Sequence, residues 1–74
     1  MDKTNGLGRS LRALRRMRGM TQAKLGALTG IHPSSICGIE AGRQTLTVGN
    51  LNSIADALGF QLDLRFRPKS ATDA

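Results

Sequence analysis

Residues 21–40 read TQAKLGALTGIHPSSICGIE, and the reading of this stretch decides the fold. Two short helices joined by a tight turn account for it. The first starts at Thr21, an N-cap type whose side chain takes a free backbone N–H, and runs to about Thr29. The third residue after Thr21 is Lys24 rather than Glu, so the full capping box is absent. Gly30 supplies the turn, because a residue without Cβ takes positive φ at little cost. The next helix begins at His32–Pro33 and runs to about Ala41, and proline at a first helical position sacrifices no hydrogen bond. Leu25, Ile31, Ile36 and Ile39 are the apolar anchors, and Gly26 is small where the two helices approach.

This spacing of anchors, small residue and turn glycine is the sequence form of a helix-turn-helix. Upstream of it, Leu7, Leu11 and Leu14 repeat at helical spacing. They predict a helix over about 7–18 with the leucines buried, closed by Gly19, after which Met20 enters the core. Residues 1–6 show no periodicity and are expected to be disordered. Five arginines lie between positions 9 and 18. Arg9, Arg12 and Arg16 fall on one face, which reads either as a solvated surface or as a positive ridge beside a phosphate backbone. Arg15 borders the buried stripe, and a charge there needs a partner. Glu40 is the only acidic residue between positions 3 and 55, and it too borders the apolar face of its helix.

Downstream, Gly42 stops the second helix of the pair, and Arg43 and Gln44 fall in a loop. Thr47 caps a helix over about 48–58, with Leu51, Ile54, Ala55 and Leu58 on one face and Gly59 at its end. Residues 60–67, FQLDLRFR, alternate strictly, so Phe60, Leu62, Leu64 and Phe66 share a side. Period two predicts a half-buried strand. The chain offers no second strand, and a lone strand leaves its ladder groups unpaired. Pairing with the same strand of another copy is the simplest remedy. Residues 68–74 read as a loose tail. The expected architecture is all-α, with four helices over 7–59 and a C-terminal β-strand that pairs between subunits.

Composition agrees with a binder of polyanions. Eleven Lys and Arg against five Asp and Glu give a net charge of +6. The 74 residues allow one small core, and chains this short often rely on oligomerisation. No stretch approaches the roughly 20 apolar residues of a membrane span. No apolar signal region stands near the N-terminus, so a cytoplasmic location is expected. With a single cysteine, Cys37, and a single histidine, His32, neither an intrachain disulfide nor a metal cluster is expected, and no cofactor is implied. There is no nucleophile–base pair, carboxylate pair or phosphate-cradling glycine loop, which argues against an enzyme. An RNA binder would want aromatic stacking surfaces that are missing here.

The chain resembles the lambda-repressor-like DNA-binding domains of the Cro/XRE family. The resemblance rests on Met20-Thr21-Gln22, Leu25-Gly26, Gly30-Ile31, Ser35-Ile36, Ile39-Glu40 and Gly42, then Leu51, Ile54-Ala55 and Leu58-Gly59, and covers about residues 7–59. It implies that Arg15 and Glu40 form a structural ion pair. It also implies that Gln22 contacts DNA backbone and braces the reading helix, and that the loop holding Arg43 and Gln44 touches phosphates. Many members carry a fifth helix where this chain alternates.

The helix from Pro33 would then read DNA. A helical wheel with Ile36, Ile39 and Glu40 inward puts Ser34 and Gly38 outermost, flanked by Ser35 and Cys37. Serines can meet base edges or phosphates. Gly38 either lets the backbone approach the groove or makes no contact. His32 caps this helix or faces a phosphate. The face holds no Arg, Asn or Gln for bidentate base contacts, which leaves room for shape readout. The candidate DNA-binding residues are Arg12, Gln22, Lys24, His32, Pro33, Ser34, Ser35, Gly38, Arg43 and Gln44, acting on an inverted-repeat operator. The expected activity is transcriptional repression by a homodimer. The helix-turn-helix followed by an alternating strand also looks like the antitoxin half of Hip-type pairs, which bind operator DNA and hold a kinase-like toxin.

Overall fold

A computed structural model describes residues 3–69 of the chain. Four helices build it: α1 (Lys3–Met17), α2 (Gln22–Thr29), α3 (Pro33–Glu40) and α4 (Val48–Ala57). α1 and α2 both pack on α3, and α4 packs on α2. Leu11, Leu25, Ile36, Ile39, Ile54 and Leu58 form the buried core, so every helix contributes to it. Leu14, Met20, Ile31, Leu46, Leu51 and Phe60 close its edges. Each fully buried side chain of this size contributes about 1.5–3 kcal/mol.

The turn between α2 and α3 is held by local bonds. Thr21 Oγ1 accepts the Lys24 N–H at 3.0 Å and so caps α2. Gly30 sits at φ 76° and its N–H donates to the Gly26 carbonyl. The Thr29 hydroxyl donates to the Leu25 carbonyl at 2.8 Å and accepts the Ile31 N–H at 3.2 Å. His32 is the N-cap of α3, its Nδ1 accepting the Ser34 N–H at 3.1 Å. A Cβ on Gly26 would stand 2.6 Å from the Ile31 carbonyl oxygen, so the turn closes only over a bare α-carbon.

Two expectations for the first helix are corrected. It begins at Lys3 rather than Leu7, because residues 3–6 carry no apolar side chain and so show no period, although the chain is already helical there. Leu7 is 40% exposed, and the buried stripe starts instead at Gly8. A Cβ on Gly8 would run into the carbonyl oxygens of Ile39 and Glu40, so α1 crosses the end of α3 with backbone against backbone.

Residues 60–69 have no regular secondary structure, and no strand occurs among the described residues. A single chain offers this segment no ladder partner. Its four apolar side chains do not share one environment. Phe60 packs on the core, where the Arg18 guanidinium lies 4.6 Å from its ring centre. Arg18 Nε also donates to the Leu58 carbonyl at 2.9 Å. Leu62 is half-buried, whereas Leu64 is 58% exposed and Phe66 fully exposed. Residues 1–2 and 70–74, in the expected disordered start and loose tail, lie outside the described residues.

The glycine contacts reverse the usual helix preference. Gly8→Ala and Gly26→Ala should each lower stability by about 1–3 kcal/mol through overpacking. Gly6→Ala, with open space around it, should raise stability by up to about 1 kcal/mol. Urea unfolding midpoints of the three variants check this.

Candidate nucleic-acid interface

Glu40, the last residue of α3, gathers three segments around one buried carboxylate. Its side chain is 2% exposed. Arg15 of α1 grips it with two bonds, Nε to Oε2 at 2.7 Å and Nη2 to Oε1 at 3.0 Å. The remaining guanidinium nitrogen, Nη1, donates to the Met20 carbonyl at 2.7 Å. Gln22, the first residue of α2, donates its Nε2 to Oε1 at 3.1 Å, and Arg12 Nε approaches the same oxygen at 3.4 Å. Burial pushes the Glu40 carboxyl up, but the hydrogen bonds from Arg15 and Gln22 and the Arg15 charge outweigh it and hold the group below the ordinary carboxylate range. The bond to Glu40 in turn pushes the Arg15 guanidinium up, so it stays charged. One end of α3 is therefore tied to both α1 and the start of α2.

With Ile36, Ile39 and Glu40 inward, Ser34 stands exposed on the opposite side of α3, and Ser35 and Cys37 flank it half-buried. The Ser34 hydroxyl lies 2.8 Å from His32 Nδ1, so both side chains serve the helix start. Pro33 is half-buried, its ring beside Gly26. Gly38 is not outermost as expected but buried. The loop after α3 folds back over it: the Arg43 and Gln44 N–H groups donate to the Gly38 carbonyl at 2.8 and 3.2 Å. The Gln44 side chain covers the α-carbon. Arg43 Nη2 reaches 3.7 Å from Cys37 Sγ.

Residues 6–67 match the sequence profile of a helix-turn-helix domain family of the Cro/XRE type. The chain belongs to that family. No curated protein matches it closely enough to place it more finely.

In this helix-turn-helix domain the sequence-derived candidates divide by what already holds them. Arg43 and Gln44 stand exposed beside α3, next to Cys37 and Gly38, and Lys24 stands exposed on α2. Arg12 leans toward Glu40 with its side chain 37% exposed, and the Gln22 amide is committed to the same carboxylate. Arg9 and Arg16 are exposed on α1, while Arg18 is drawn away to Leu58 and Phe60. Sequence reasoning missed two features. Gly8 stands three residues before Leu11 and so continues the buried stripe, a signal visible in the spacing. The cover of Gly38 by Gln44 depends on how the loop returns, which no local pattern encodes. No helix among the described residues is long and apolar enough to cross a membrane.

Removing the Glu40 charge should strand a buried guanidinium. Glu40→Gln is expected to cost about 3 kcal/mol, at the lower end for a buried pair broken on one side, because the amide oxygen still accepts. Since the folded-state carboxyl is held below its unfolded range, its stabilisation is complete above that range and fades as pH falls through the lower, folded value. The gap between wild type and variant, measured by urea unfolding, should therefore be full at pH 7 and shrink in acid.

Proposed function

We propose that this domain is a sequence-selective repressor that binds double-stranded DNA as a two-fold homodimer, with α3 in the major groove. The carrying observation is the outward side of α3, where Ser34 is exposed with Ser35 half-buried beside it and the exposed cation Arg43 lies against Cys37 of the same helix, while Lys24 is a further exposed cation on α2. The capped starts of α2 and α3 add backbone N–H groups suited to phosphate oxygens. Arg16 extends the positive surface along α1. Base contacts select sequence, and the cations fix position on the duplex.

The dimer reading rests on residues 60–67. Leu64 and the fully exposed Phe66 put apolar surface in water beside an unpaired backbone. Antiparallel pairing with the same segment of a second copy would satisfy the backbone groups and shelter Leu62, Leu64 and Phe66. A two-fold axis there would set two copies of α3 toward one face of DNA, with half-sites about one helical turn or a multiple apart.

Affinity for a selected operator should fall steeply between about 50 and 200 mM salt. Arg43→Ala should weaken all sequences alike and reduce the salt slope by about 1. Leu64→Asp should leave the helices folded by circular dichroism but give monomers by sedimentation and abolish tight operator binding. A wild type that is monomeric at micromolar concentration, or a Leu64→Asp variant with unchanged operator affinity, would overturn the homodimer.

A further inference from the structure

α3 carries no side chain that can grip a base edge with two hydrogen bonds. Positions 34 and 38, four residues apart, lie on the side of the wheel opposite the core, but only Ser34 is exposed and Gly38 is buried beneath the returning loop. The Ser34 hydroxyl is engaged with His32 Nδ1 at 2.8 Å. Position 38 is glycine, and the space a side chain would fill there is occupied. A Cβ on Gly38 would meet Gln44 Oε1 at 2.6 Å, Cδ at 3.3 Å and Cβ at 3.4 Å. The three nearest atoms thus all belong to Gln44. Its backbone is pinned to the Gly38 carbonyl by its own N–H at 3.2 Å and by the Arg43 N–H at 2.8 Å. Gln44 is nonetheless exposed. Among the described residues no hydrogen bond engages its amide, whereas the Gln22 amide is spent on Glu40.

We infer that Gln44 is the specificity-determining residue of the interface, its amide taking the place of a missing position-38 side chain and reading adenine in the major groove. A glutamine amide matches adenine with one acceptor and one donor, to N6 and N7. The glycine is what admits it. Any side chain at 38 would push the amide off the outward face of α3, and glycine lets the loop lie flat there. Glycine in mid-helix is less favourable than alanine, and here that cost serves the reach of the loop rather than the fold. This inference rests on the reading of α3 as the groove-entering helix.

The experiment selects binding sites from a random duplex pool with the wild-type chain, then measures affinity for every single base-pair change in the selected site. Gln44→Ala should lose discrimination at one A·T pair per half-site, by roughly tenfold or more, while preferences elsewhere and the salt slope stay as in wild type. Gly38→Ala, whose methyl displaces the amide, should lose discrimination at that same pair while unfolding at no lower urea concentration. Gln44→Ala with wild-type preferences at every pair would overturn the inference. So would a uniform loss of affinity across all sequences, the signature of a phosphate contact, which for an uncharged amide leaves the salt slope unchanged. A wild type that selects no duplex sequence would overturn the DNA reading as well, which separates the two failures.

Discussion

The carboxylate of Glu40 is where α1, α2 and α3 meet, and its position makes demands that the rest of the fold answers. A negative group at the C-terminal end of a helix opposes the helix dipole. Burial adds a desolvation penalty of several kcal/mol. Four N–H approaches from Arg15, Gln22 and Arg12 offset both costs. Arg15 contributes most, since its bidentate grip is charge-assisted and fixes geometry as well as energy. Its third nitrogen closes the turn after α1 through the Met20 carbonyl. The pair is thus less a source of net stability than a device that allows only one mutual arrangement of the three segments. The orientation of α3 relative to the start of α2 is the quantity on which a major-groove reader depends.

Close backbone approach supplies the second constraint. α2 and α3 are eight residues each, too short to persist without tertiary support. With so small a core, the helices gain contact area by coming together at bare α-carbons. Gly8 lets α1 rest on the final carbonyls of α3, beside the Glu40 cluster. Gly26 lets the turn fold under Pro33. Both contacts fall where α3 must be held, one at each end. The middle of α3 is secured by Ile36 and Ile39 in the core.

The features legible in the sequence are those encoded locally. Thr21, Gly30, His32-Pro33 and Thr47 announce helix ends through side-chain capping, a missing Cβ or a fixed φ, and each lies within four residues of the group it serves. For Arg15 and Glu40 the residues show only that charges bordering apolar stripes require partners, and the family resemblance supplies the pairing. Illegible features depended on tertiary placement. The α1 start was hidden because Lys3–Gly6 carry no apolar residue to show a period. Gly38 sat outermost on a wheel that takes no account of a returning loop. The alternation at 60–67 treated four side chains as equivalent, yet Phe60 has Arg18 and the core to pack on while Phe66 has neither.

The division of labour around α3 explains why the reading surface proposed for it is so sparse. Side chains that could reach the groove from the helix are small, and His32 and Ser34 spend hydrogen-bonding capacity on the helix start. Gln22 spends its amide on Glu40. These commitments stiffen the helix-turn-helix, and stiffness lowers the ordering cost of binding. They also occupy groups that could otherwise read bases, so under the proposed function each copy has few contacts that discriminate. In the proposed dimer, selectivity must then come from combining those contacts with half-site spacing and with the energy of shaping the DNA between them. A rigid α3 suits that strategy, because spacing and shape can be read only by elements whose mutual geometry does not yield. The buried charge at Glu40 is what keeps it from yielding.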